Sequence, residues 1–169
     1  MKLIVITDWS VPDCLARAAA AAAVSSDVVV QHRHHGVSAA QFEEEALRLR
    51  KLCPRLFINS DAALATRLGA GLHLPERLSV PEFDGPLTKS THSPLPAGER
   101  VRVRGQTTFL VSPVYAPLSK PEERPSLGAA GFHAIAATLP GPAFALGGLT
   151  AERIAALKPL AGIAVIGAV

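Results

Sequence analysis

Gly147 and Gly148 close the short apolar run PAFAL, and Thr150 stands two residues on, where it can cap a helix opening at Ala151. A strand, a glycine turn with open backbone N–H groups and a helix N-terminus, in that order, form an anion site suited to phosphate. A second run, Ile163 to Ile166, ends at Gly167. In parallel α/β barrels the loops after the seventh and eighth strands often share one phosphate pocket, so this pair of endings suggests the phosphate end of a barrel. The plainer alternative is two ordinary strand-ending turns.

A second cluster is Gln31-His32-Arg33-His34-His35-Gly36. Period-two alternation puts Gln31 and Arg33 on one face and His32 on the other. Arg33 is costly to bury without an anionic partner, which is either a carboxylate or phosphate ligand or a salt bridge to Asp8 or Glu76. The three histidines lack a carboxylate framework, so they read as surface or hydrogen-bonded residues rather than metal ligands. Asp61, after Asn59 and Ser60, reads as a helix N-cap. His73 reads as a hydrogen-bonded structural histidine, and Lys120 either clamps an anion or is solvated.

His92 differs from these, because Lys89-Ser90-Thr91-His92-Ser93 closes a strand, in the layer where barrel enzymes carry acids and bases. A histidine there either moves protons near neutral pH or anchors its loop.

The elements that position these groups alternate. Short β-branched runs at Leu3–Thr7, Asp27–Gln31, Arg55–Ile58, Gly71–Leu74, Leu87–Thr91, Thr107–Val111, Ala143–Leu146 and Ile163–Ile166 read as strands. Ser10 with Pro12 opens an Ala-rich helix to about Val24, and Ser38 with Gln41 makes a capping box for a helix to about Leu52. Shorter helices fit Ala62–Leu68, Gly128–Leu139 and Ala151–Leu157, while Val80–Phe83 allows at most one turn. Eight strands imply a compact TIM (β/α)8 barrel, one domain over residues 1–169. It departs from the pattern twice. Residues 93–105, SPLPAGERVRVRG, read as an irregular loop or stray hairpin in place of the helix after strand 5. No helix follows the last strand, which predicts either a barrel open there, with an apolar patch for self-association into a homo-oligomer, or a truncated gene product.

Composition narrows the function classes. With 49% hydrophobic and 18% charged residues, the chain can bury one core but hardly two. Seventeen basic against fourteen acidic residues leave a net charge of only +3, with no extended basic face interleaved with aromatics, which argues against nucleic-acid binding. Cys14 and Cys53 are far apart, with no CxxC, and read as reduced thiols. The N-terminal MKLIVITDWS holds too short an apolar run for a signal-peptide core or a membrane span, so the expectation is a soluble cytoplasmic protein without a membrane partner.

Taken together, KLIVITD, VVVQHRHHG, LFINSD, GLHLPERLSVPEF, KSTHS, VSPVYAPLSKPEERPSLGAAGF, ALGGLTAERI and GIAVIGAV resemble the thiamine phosphate synthase and thiazole tautomerase (TenI) family of phosphate-binding barrels. The resemblance implies thiamine biosynthesis and a small phosphorylated thiazole as ligand. Its substrate-binding positions fall on Gln31, Arg33, His35, Asn59, Ser119 and Lys120, and its phosphate-binding positions on Gly147, Gly148, Ile166 and Gly167.

Two activities divide the family. The synthase branch joins a pyrimidine diphosphate to a thiazole phosphate around Mg²⁺ held by two aspartates, whose places here are Ser60 and Leu78; the lysine of its Gln-x-Arg-x-Lys run is His35. Without those carboxylates Mg²⁺ is poorly held, because hard cations need oxygen charge. The tautomerase branch needs no cofactor, and its acid/base histidine is His92. The resemblance therefore ranks a metal-independent isomerase first. A divergent Mg²⁺-dependent synthase with Asp61 standing in comes second, and a non-catalytic relative that binds a phosphorylated ligand or a protein partner comes third. Gly167 stands where a serine is usual, one hydroxyl donor fewer at the phosphate.

Overall fold

The computed structural model describes residues 2–94, 107–116 and 125–166. Eight parallel strands close into a barrel in chain order: β1 (Lys2–Ile6), β2 (Val28–His32), β3 (Leu56–Asn59), β4 (Gly71–Leu74), β5 (Leu87–Thr91), β6 (Thr107–Val111), β7 (Ala143–Leu146) and β8 (Gly162–Ile166). Each strand agrees with its sequence-based span to within one residue at either end. Short apolar, β-branched runs between polar breaks suit strands buried on both faces, so their positions are strongly marked.

The pleat sorts the side chains. Ile4, Ile6, Leu110, Phe144 and Ala164 pack on one another inside the barrel. Their alternates face outward: Val30, Leu56, Ile58, Leu72 and Leu74 lie under the first helices, and Val111, Ala145 and Ile163 lie under the later ones. Five helices stand among the described residues: α1 (Cys14–Val24), α2 (Ala39–Leu52), α3 (Ala62–Leu68), α4 (Gly128–Ala136) and α5 (Ala151–Ala156).

The strongest helix signal is that of α2. The Ser38 hydroxyl accepts the Gln41 N–H, and Ala46 and Leu49, three apart, are fully buried with Cys53 at the end of the same face. Gln41 supplies only its backbone to the cap, because its side chain reaches forward to Glu45 at 3.0 Å instead of back to Ser38. Asp61 caps α3 through Leu64 N at 2.8 Å, and Thr150 caps α5 through Arg153 N at 3.3 Å.

Three sequence expectations are corrected. Helix α1 opens at Cys14, not at Ser10. Asp8 has captured Ser10, through both its N–H at 3.1 Å and its hydroxyl at 2.5 Å, which folds the chain into a turn before the helix begins. Helix α4 ends at Ala136 rather than Leu139, where the Thr138 hydroxyl bonds back to the Ile135 carbonyl at 2.8 Å. The seam between first and last strands is closed in its backbone: β1 and β8 pair over five residues, from Lys2 with Gly162 to Ile6 with Ile166. Strand closure depends on the ladder, not on a covering helix. On the outer side of that seam Ile163 is buried while Leu3 and Val165 are half-buried. Val80–Phe83 forms no helix. Most of the segment expected to lack a helix after β5, residues 95–106, lies outside the described residues, as do residues 167–169.

Candidate functional site

Interior positions at the C-terminal mouth of the barrel carry polar side chains: Gln31 on β2, Asn59 on β3, His73 on β4, Thr88 and Ser90 on β5, and His92 and Ser112 just past β5 and β6. Below them the interior is the apolar Ile4, Ile6, Leu110 and Phe144 layer. A polar rim over an apolar floor is where barrel chemistry is built.

His92 is held from two sides. Its Nδ1 lies 2.5 Å from the Ser112 carbonyl oxygen, which only an Nδ1–H can donate to, so the neutral imidazole carries its lone pair on Nε2. The Ser112 hydroxyl lies 3.3 Å from the same nitrogen. The His92 backbone N–H donates to Glu76 Oε1 at 2.9 Å.

His73 is buried at 4% exposure, with Nδ1 at 2.8 Å from the Thr88 hydroxyl and Nε2 at 3.2 Å from that of Ser90. Burial, reinforced by the positive charges of Arg33 and Lys89, pushes its pKa down to about 4. It is thus a neutral hydrogen-bonding group across the working pH range. Thr88, Ser90 and His92 share one face of β5 by simple alternation. That periodicity was available to identify Ser90 and Thr88 as members of the site; Ser112 and Glu76 carried no such signal.

Thr7 ties the Gln31–Arg33 segment to β1. Its N–H donates to the Gln31 carbonyl at 3.0 Å, and its hydroxyl both accepts from Arg33 N at 2.9 Å and donates to Arg33 O at 3.0 Å. The Gln31 side chain is buried, and its Oε1 has no hydrogen-bond partner among the described residues. Arg33 donates through Nε to His35 Nε2 at 2.7 Å. Burial, and then the Arg33 charge, depress the His35 pKa. Neither acid considered as the partner of Arg33 is committed to it by a hydrogen bond: Asp8 binds Ser10 and Glu76 binds the His92 loop.

The other two histidines of the run face away from this rim. His32 is sealed beneath α2, stacked on Phe42 with ring centroids 4.1 Å apart, and its Nε2 donates to the Phe42 carbonyl at 3.1 Å. His34 stacks on Trp9 and meets Glu45 at 2.8 Å. The histidine run thus divides among three different surroundings.

Gly147 and Gly148 take φ of 103° and 57°, and their turn lies against the segment after β6. Val114 N donates to the Leu146 carbonyl at 2.9 Å and Tyr115 N to that of Gly147 at 3.1 Å. Arg153 holds the Gly148 carbonyl at 2.6 Å with its guanidinium over the Tyr115 ring. A Cβ on Gly148 would collide with the Ala116 carbonyl oxygen. Gly148→Ala is therefore expected to destabilise the protein by about 1–3 kcal/mol, from the left-handed backbone and the clash together. A denaturant-melt midpoint equal to wild type would contradict this.

Ile166, the last residue of β8, is 43% exposed. Ser119, Lys120 and Gly167 lie outside the described residues.

A family model described as thiamine monophosphate synthase matches residues 3–169. Among solved structures, the chain is similar to the thiamine phosphate pyrophosphorylase from Pyrococcus furiosus, with a TM-score of 0.78 and 21% identity over 99% of this chain and 86% of that one. It is also similar to a cube-shaped, highly porous protein cage designed by fusing symmetric oligomeric domains, with a TM-score of 0.66 and 16% identity over 98% of this chain and 63% of that one. At these identities the solved structures speak to the barrel fold, whereas the family match spans nearly every residue read above. This chain belongs to the thiamine monophosphate synthase family.

Proposed function

We propose that this protein serves thiamine biosynthesis as a metal-independent isomerase, aromatising a thiazole carboxylate phosphate by proton transfer. The observation that carries the reading is the tautomer of His92. With Nδ1–H committed to the Ser112 carbonyl at 2.5 Å, Nε2 is the basic nitrogen, on a side chain rooted at the barrel mouth. It removes one proton from the non-aromatic tautomer and returns one at another position, so atoms and charge are unchanged overall. Arg33 holds the carboxylate. The N–H groups around Gly147, Gly148, Ile166 and Gly167 hold the phosphate, with Gln31, His35, Asn59, Ser119 and Lys120 lining the substrate.

The disposition of the acids at this end of the barrel supports a reading without the Mg²⁺ of the synthase branch. At this end of the barrel Asp61 spends Oδ1 on Leu64 N as a helix cap, Asp8 holds Ser10, and Glu76 holds the His92 loop. Among the described residues no three His, Cys, Asp or Glu side chains converge as a metal site. A hard cation needs such oxygen donors brought together.

The second reading, a divergent synthase with Asp61 as a replacement ligand, is favoured by the names of the family and of the Pyrococcus relative. One paired assay separates the two. Turnover of the thiazole carboxylate phosphate is expected to continue unchanged in EDTA, with no thiamine phosphate formed from pyrimidine diphosphate and thiazole phosphate at millimolar Mg²⁺. Mg²⁺-dependent formation of thiamine phosphate would overturn the ranking. Among the described residues no helix is long and apolar enough to cross a membrane.

A further inference from the structure

The loop joining β4 to β5 and the end of β5 grip each other in both directions. Lys89 extends its ammonium onto the carbonyls of that loop, reaching Glu76 at 2.9 Å and Leu78 at 2.6 Å, with Pro75 at 3.5 Å. Glu76 answers from the loop with a single carboxylate oxygen. Its Oε1 accepts the His92 N–H at 2.9 Å, and the hydroxyls of Thr91 at 3.4 Å and Ser93 at 3.5 Å lie on the same oxygen. The contacts therefore bracket His92 on both sides along the chain, while its ring is held separately by the carbonyl and hydroxyl of Ser112.

The oxygen of Glu76 accepts a backbone N–H at ordinary hydrogen-bond length, a bond that a side-chain amide oxygen of the same reach can also accept. It is made to the very residue whose ring must point into the mouth. The Thr91 hydroxyl gives its one proton to the nearer acceptor, the Ser93 carbonyl at 2.8 Å, which curls the segment around its central histidine. Lys89 and Glu76 sit 13 residues apart in sequence, so each restrains the other's element: the ammonium fixes where the loop lies, and the carboxylate fixes where the strand end turns. Glu76 touches the backbone of His92 but not its imidazole in any of these bonds. Its influence on the ring is through placement.

We infer that Glu76 is the positioning residue for His92, acting through the length and acceptor geometry of its side chain rather than through its charge. This rests on the isomerase reading for its effect on turnover, but not for its effect on the imidazole. A 1 Å misplacement of a catalytic group costs on the order of 10²-fold in rate, and that sets the scale.

The test uses three variants that separate length from charge. Glu76→Gln keeps the reach and an acceptor oxygen and loses the charge. Glu76→Asp keeps the charge and is one methylene short. Glu76→Ala loses both. Expected for Glu76→Asp and Glu76→Ala is a fall in kcat of about 10- to 100-fold with KM within about 3-fold of wild type, and rescue to within about 3-fold of wild-type kcat in Glu76→Gln. The opposite order, with Asp active and Gln impaired, would overturn the inference, as would wild-type kcat in folded Glu76→Ala. Long-range ¹H–¹⁵N spectra of the histidine rings provide the readout that needs no substrate. Wild type and Glu76→Gln are expected to show His92 as one Nδ1–H tautomer, and Glu76→Asp an exchanging mixture. An unchanged single tautomer in Glu76→Asp would sink the proposal even if the protein had no isomerase activity at all. Should Glu76→Ala fail to fold, the Gln and Asp pair decides the matter alone.

Discussion

His92→Ala is expected to lower turnover of the thiazole carboxylate phosphate by about 10²- to 10⁴-fold, the range removed when a positioned general acid/base is deleted. On the proposed isomerase reading the loss should fall on kcat, because that reading gives the imidazole the proton in flight and gives Arg33 and the glycine turns the charged ends of the substrate. The fold should survive. His92 hangs from the strand end by its own backbone bond to Glu76 at 2.9 Å, which alanine keeps, and what is lost is the ring contact with Ser112. His92→Gln is a stricter version, since it retains a side-chain donor for the Ser112 carbonyl but has no titratable nitrogen. Single-turnover kinetics on both variants, with circular dichroism melts beside them, makes the check. Full turnover in a folded His92→Ala protein would remove His92 from the chemistry and leave it as a loop anchor.

The second large effect is on stability as pH falls. His32 and His73 are buried, and burial pushes both imidazoles from the ordinary value of 6.5 down to about 4. In the unfolded chain each takes up a proton as pH falls through 6.5, while in the folded protein each stays neutral until about 4. Their contribution is therefore intact above about pH 7 and lost progressively between about 6.5 and 4. The loss reaches about 3 kcal/mol for each histidine, a large part of the margin of a small domain. His35, displaced in the same direction by burial and by Arg33, adds to the same slope. Asp8, whose carboxyl Ser10 holds below the ordinary carboxylate value of 3.8, contributes only at more acid pH.

Urea unfolding at intervals between pH 7.5 and 4.5 should show the midpoint falling steeply below 6.5. His73→Asn and His32→Gln should each flatten the slope by about one proton's worth. A flat profile would mean that the two histidines take protons in the folded protein, which burial opposes, against the pull of the Glu45 carboxylate 3.8 Å from His32. His32 already gives its one N–H to the Phe42 carbonyl, and its Nδ1 has no partner among the described residues to receive a second proton's hydrogen bond.

The strands and the glycine turn were legible in the sequence because they depend on neighbours in the chain. Short β-branched runs, a serine or aspartate at a helix start and a Gly-Gly pair at a strand end are local signals. Their physical causes act within a few residues. Helix α1 shows the limit: Ser10 carries a capping signal, yet Asp8 two residues earlier takes its hydroxyl, and two equally local bonds compete with nothing in the sequence to rank them.

The site divides in the same way. The sequence alone determined that Gln31 and Arg33 alternate with His32, that His92 ends a strand, and that the chain has the family's motifs in order. Only the tertiary structure decided that Ser112 selects the tautomer of His92, and that Glu76 and Lys89 lock two elements together. Barrel closure brings together groups 13 to 20 residues apart in sequence. Hydrogen-bond partners at that separation are chosen by the register of neighbouring strands and the path of each loop, neither of which any single stretch of the chain encodes.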